Sequence, residues 1–221
     1  MQLTRDARRT ALIQVLGAVA YGEWKAYEGL RQRAEQTDDS EERRLLRTFA
    51  AQERRHYEGF VRRLVALGAD PERAMRPYRA PLDAYHGREA ADAVEDAVFG
   101  YLGEGIADDL LQWLRRVVDQ ETAAFIDTVI ADEAEHEGHA TAELQALLAR
   151  IPAGRRRAAR AAGRMVRHML GSGTRGAAPM AAFLRAGRPL DLVRAIVGGF
   201  DRRMRAIGVG PLPVLRAVVT G

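Results

Sequence analysis

Two Glu-x-x-His runs, Glu53-Arg54-Arg55-His56 and Glu133-Ala134-Glu135-His136, are the residues of this 221-residue chain with the clearest capacity for chemistry. On a helix, Glu and His three residues apart project from one face, one above the other, so each run offers a carboxylate and an imidazole to the same point. Each run also follows a further Glu by about 30 residues: Glu23 precedes Glu53, and Glu104 precedes Glu133. With 16 Glu and 5 His, chance alone gives roughly 0.4 Glu-x-x-His matches in such a chain. One match would mean little. Two, each preceded by a Glu on a helical stripe, make a pattern.

Four carboxylates gathered away from water repel one another, and each costs several kcal/mol unless compensated. Two divalent ions supply that compensation. Oxygen-rich ligation with one imidazole per metal suits iron or manganese better than structural zinc or copper. Four ordinary helices with buried glutamate–histidinium pairs would carry the same residues, but would not keep Arg and Lys out of the same stripes. Asp108 lies one turn beyond Glu104, with Tyr27 at the equivalent place after Glu23. That position suits a hydrogen bond to a ligand or a proton relay, and equally a solvated helix residue. His139 falls off the stripe, although Glu135 and His139 offer an alternative register. Asp83-Ala84-Tyr85-His86 sits in a proline-rich stretch and reads as loop structure. Tyr21, Tyr27 and Tyr101 lie within a turn of the candidate ligands, where aromatic packing explains them.

Helices must position these groups. Leu12, Leu16, Val19, Glu23, Tyr27 and Leu30 step by three and four, which predicts a first helix over about residues 4–36. Asp39-Ser40-Glu41-Glu42 resembles a capping box opening a second helix, whose stripe runs through Leu46, Phe49, Glu53, His56, Phe60 and Leu64 to Gly68. Pro71, Pro77 and Pro81 make residues 69–88 a long connection. A third helix carries Val94, Ala97, Tyr101, Glu104, Asp108 and Leu111. Asp119 caps a fourth, with Ile126, Val129, Glu133, His136, Ala140 and Leu144, and Pro152 closes it. The pattern repeats at an offset of 81 residues for Glu23 and Glu104, and of 80 for Glu53 and Glu133, as two helical hairpins of one antiparallel bundle would.

Residues 1–152 thus read as an all-α four-helix bundle, and residues 153–221 as an arginine-rich helical extension packed on it. Arg155–Leu170 is a basic amphipathic helix, Gly171-Ser172-Gly173-Thr174 a flexible break, and Val193, Ile196, Val197, Phe200, Met204 and Ile207 mark a last helix. Residues 150–221 carry 15 Arg against Asp191 and Asp201, a charge of +13, while residues 1–149 carry −9. Such a tail either contacts a polyanion or pairs with the acidic body. The absence of cysteine excludes disulfides, thiolate zinc sites, iron–sulfur clusters and a cysteine nucleophile, and suits a cytoplasmic setting. The apolar run Ala11–Ala20 after Arg8-Arg9 imitates a signal peptide, but Gln14 interrupts it and the repeat needs it as a packed helix. No stretch is long enough to span a membrane.

The order Glu, Glu-x-x-His, Glu, Glu-x-x-His over roughly residues 10–150 resembles the ferritin-like di-iron carboxylate superfamily. The resemblance implies Glu23 and Glu104 as terminal ligands, one per iron, Glu53 and Glu133 as bridges, and His56 and His136 completing the two shells. It also implies dioxygen as a reactant and an external electron donor. More narrowly, Leu67-Gly68-Ala69-Asp70-Pro71-Glu72 through Ala80-Pro81-Leu82-Asp83, with Arg202-Arg203-Met204-Arg205-Ala206-Ile207-Gly208, is similar to bacterial proteins grouped with methylthio-isopentenyladenosine-tRNA hydroxylases. That likeness implies oxygen-dependent hydroxylation of a modified tRNA base; the basic charge of the arginine-rich tail is no part of it, and only that charge offers a contact for tRNA. The alternatives are a small-molecule di-iron oxygenase of a biosynthetic pathway and a non-redox, ferritin-like iron-storage protein.

Overall fold

A computed structural model describes residues 5–171 and 177–211, and among these every regular element is a helix. α1 (Arg5–Gln36) and α2 (Ser40–Ala66) come first, then α3 (Pro71–His86). α4 (Ala93–Leu114) and α5 (Gln120–Arg150) are the second pair of long helices, and α6 (Gly154–Gly171), α7 (Ala177–Ala186) and α8 (Pro189–Ala206) follow. The all-α expectation holds, with long helices where the periodicity put them and further helices after Pro152. No described helix is long and apolar enough to cross a membrane. Residues 172–174 of the expected break lie outside the described residues.

The helices start and stop for local reasons. Asp39 accepts from the backbone N–H of Glu41 at 2.8 Å and of Glu42 at 3.1 Å, satisfying donors that the first turn of α2 leaves without partners. Gly68 takes φ +67° just past α2, a left-handed conformation that only glycine adopts without steric cost. Asp119 likewise accepts from Thr122 N–H at 2.9 Å at the start of α5.

One expectation fails. Residues 69–88 are mostly the helix α3, in spite of their prolines. Pro71 occupies the first turn, where its missing N–H is no loss, and Asp70 caps it by accepting from Glu72 N–H at 2.9 Å. Pro77 and Pro81 each remove a helix hydrogen bond. Burial of Ala74, Met75 and Tyr78 along one face outweighs that loss. α1 admits α3 at Gly17, where a Cβ would stand 2.4 Å from the Ala74 carbonyl oxygen.

The chain forms two compact units. The described residues through Arg88, with Val118–Phe125 and Ala178–Gly187, make the first; Glu89–Val117, Ile126–Ala177 and the chain from Arg188 make the second. In the first, α1 packs along α2 and α3, and Val15, Leu16, Leu46, Phe49, Phe60 and Leu64 are buried. In the second, α4 packs on α6 and α8, with Val98, Leu102, Leu111, Trp113 and Met165 buried. The Trp113 ring N–H donates to the Arg188 carbonyl at 3.1 Å, so its one polar atom is satisfied.

Candidate metal centre

The first unit brings three candidate ligands together. Glu23 on α1 is 7% exposed, and Glu53 and His56 on α2 are 4% and 3% exposed. His56 Nδ1 lies 3.3 Å from Glu23 Oε2 and 3.6 Å from Glu53 Oε2. One ligand atom from each of the three lies within 4.8 Å of the others, a spacing that one cation fills. Two buried carboxylates against one imidazole need added positive charge, and a Glu, Glu, His donor set is one that iron or manganese accepts. Trp24 packs against Tyr27 and Tyr57, with ring centroids 5.2 and 5.1 Å apart, so aromatic packing does account for Tyr27. Tyr21 donates to Asp83 Oδ1 at 2.7 Å and ties the end of α3 to α1. Asp83 and its neighbours therefore close a helix and are not loop.

The second unit repeats the motif with differences. His136 Nδ1 lies 3.3 Å from Glu133 Oε2 on α5, and His136 is buried. Tyr101, Glu104, Asp108, Glu133, His136 and Glu137 line, with Gly105, a cavity of about 10 Å³, room for one water-sized occupant. Glu104 is exposed where its counterpart Glu23 is buried. Asp108 stands where the first unit has Tyr27. Burial, and then the charge of Glu133, push its carboxyl well above the usual carboxylate range, and Arg203 opposes them. The alternative register finds no partner in Glu135, which is exposed, and His139 pairs with Glu143 at 3.4 Å.

Sequence reasoning missed the group beneath this cavity. Arg203 of α8 is 1% exposed and donates through Nη1 to Asp109 Oδ2 at 2.7 Å and through Nη2 to Glu137 Oε2 at 3.0 Å. Its Nη2 also reaches Asp108 Oδ2 at 3.5 Å. Two glycines make room. A Cβ on Gly105 would stand 2.2 Å from Arg203 Nε, and one on Gly199 would stand 1.9 Å from Asp109 Oδ2. The signal was present in the sequence, because Arg203 falls between Phe200 and Met204, inside the apolar phase of the last helix. The basic tail is anchored elsewhere too, by Arg157 to Asp92 at 2.6 Å and Arg164 to Glu95 at 2.7 Å.

Among the described residues the frame is wholly helical and buries Glu23, Glu53, His56 and His136 on its long helices, which defines the class of ferritin-like helical proteins. The family described as "Ferritin-like domain, actinomycetes" matches residues 6–184, and the chain belongs to it. Its fold is shared with a solved structure, "Protein 19 with aldehyde deformylating oxidase activity from Synechococcus", at a TM-score of 0.75 over 97% of each chain and 21% sequence identity. None of the curated proteins matches the chain.

Proposed function

We propose that this protein holds two iron ions and uses them to activate dioxygen for the oxidation of an organic substrate. The observation that carries the proposal is the twofold occurrence of one ligand pattern, Glu23 with Glu53 and His56, and Glu104 with Glu133 and His136, with His Nδ1 set against Glu in both. Glu23, Glu53 and His56 would hold one ion, and Glu104, Glu133 and His136 would hold the other. Manganese satisfies the same donors. When bound, the metal pair supplies the redox chemistry that reduces dioxygen and oxidises carbon.

The chain's own residues hold, orient and protonate. Burial, and then the charge of Glu133, push the Asp108 carboxyl above the usual carboxylate range, and it would stand beside Glu133 as a group able to pass a proton at its carboxyl oxygen. Arg203, fixed by Asp109 and Glu137, limits how Asp108 turns. Inserting one oxygen atom of dioxygen into a C–H bond, with the other leaving as water, consumes two electrons and two protons. With no cysteine for an iron–sulfur cluster, the electrons come from an external donor.

We infer a small organic molecule as the substrate, in preference to a tRNA base. Arg157, Arg164 and Arg203 direct their charges at acids of their own unit, which lessens the supply of tail arginines for phosphate. The Synechococcus protein's activity puts aldehydes among the first compounds to try. The test is dioxygen uptake by chemically reduced, iron-loaded protein with and without an aliphatic aldehyde. Uptake accelerated by the aldehyde is expected. Absent uptake contradicts the proposal, and iron loading far beyond two per chain favours storage instead.

A further inference from the structure

An external donor needs somewhere to dock, and α2 presents a surface of the right charge. Arg43, Arg44, Arg47 and Arg55, with Ser40 and Thr48, line a groove of about 520 Å³ along this helix. Steps of one, three and seven keep them on one face. Arg44, Arg47 and Arg55 are exposed. Arg43 donates to the Thr37 carbonyl at 2.6 Å, whereas Arg44 and Arg47 make no ion pair among the described residues. At 3.6 residues per turn, Glu53 and His56 fall on the opposite side of α2 from Arg44 and Arg47, and both are buried. One helix, about 10 Å across with its side chains, therefore separates the groove from three candidate ligands.

We propose that this arginine face docks an acidic one-electron carrier protein of the iron–sulfur ferredoxin kind, and that electrons enter across α2 toward His56 and Glu53. The proposal rests on the di-iron function. Each docked carrier loses one electron and is oxidised, so two successive dockings supply the two electrons of a turnover, and solvent supplies the two protons. Clustered guanidinium groups steer an acidic partner and pair its carboxylates in bidentate fashion. Nucleic acid would meet the same charge. The stripe from Ser40 to Arg55 carries no aromatic side chain on which a base could stack, which favours the protein partner.

The test compares the wild type with an Arg44→Glu/Arg47→Glu variant and a milder Arg44→Gln/Arg47→Gln variant. Binding of a plant-type [2Fe–2S] ferredoxin to the full-length, iron-loaded protein is titrated at low salt and at about 0.2 M salt. The wild type is expected to bind at low salt and to lose about tenfold at the higher salt, and the glutamate variant to bind about tenfold more weakly with little salt dependence. The glutamine variant falls between. A wild type that does not bind ferredoxin, a glutamate variant that binds equally well, or a wild type that binds tRNA in place of ferredoxin overturns the proposal. Dithionite-driven dioxygen uptake reads the metal site separately. Its absence from wild type that still binds ferredoxin would count against the di-iron function and not against the docking face.

Discussion

Arg203 and Asp109 lie 94 positions apart in the chain, yet they share a 2.7 Å hydrogen bond with 1% and 4% of their surfaces exposed. Through this pair the basic end of the chain is tied to α4, the helix that carries Glu104 and Asp108. A buried guanidinium is tolerated only while carboxylates face it.

Removing one side of the pair leaves the other as a buried, poorly compensated charge. Asp109→Ala is expected to destabilise the fold by about 3–5 kcal/mol. Urea unfolding followed by circular dichroism measures it, and an unchanged midpoint would show that Asp108 and Glu137 suffice for Arg203.

Glycines on α4 give a sharper contrast. Gly105→Ala drives a methyl into the Arg203 guanidinium and is expected to cost about 1–3 kcal/mol. Gly100, on the same helix, has open space where its Cβ would be, so Gly100→Ala is expected to stabilise by up to about 1 kcal/mol through helix propensity. Melting curves of the two variants moving in the same direction would contradict the packing described.

Acid should loosen the second unit. A hydrogen bond from Arg157 holds the Asp92 carboxyl below the usual carboxylate range, and one from Arg164 does the same for Glu95. A carboxyl whose folded value is depressed takes up protons more readily in the unfolded chain. The stability it confers is therefore complete above the ordinary range near pH 4 and disappears as the pH falls through the folded value. Arg164→Gln is expected to flatten this acid limb while costing about 1 kcal/mol or less at pH 7. Unfolding midpoints between pH 7 and pH 3 provide the check, and an acid limb as steep as that of the wild type counts against the pairing.

Three histidines separate the two candidate half-sites from their surroundings. His56→Ala and His136→Ala are each expected to abolish dioxygen uptake by the reduced protein and to leave helix content nearly intact. His139→Ala, which removes a half-buried side chain paired with Glu143, is expected to be mild. An essential His139 with a dispensable His136 would place the ligands of α5 in another register.

The residues that were legible in the sequence are those whose position follows from helical phase. Glu23, Glu53 and His56 interrupt apolar stripes, and the structure buries all three within reach of one another. Asp39, Asp119 and Gly68 mark helix ends because capping is a local effect of a few residues. α3 was not legible, because local rules weigh Pro77 and Pro81 heavily while the compensating burial of Met75 and Tyr78 depends on neighbours far along the chain. Asp109 and Arg203 escaped for a related reason. Their partnership spans two helices and relies on the missing side chains of Gly105 and Gly199, which no periodicity records.

Whether the two ligand patterns together bind two metal ions is read from the elemental analysis of the purified protein. Protein expressed in iron- and manganese-replete medium is expected to carry close to two transition-metal ions per chain, and Glu53→Ala to lose most of them. Purified wild type without iron or manganese, together with a Glu53→Ala variant unchanged in metal content and thermal stability, would contradict the account.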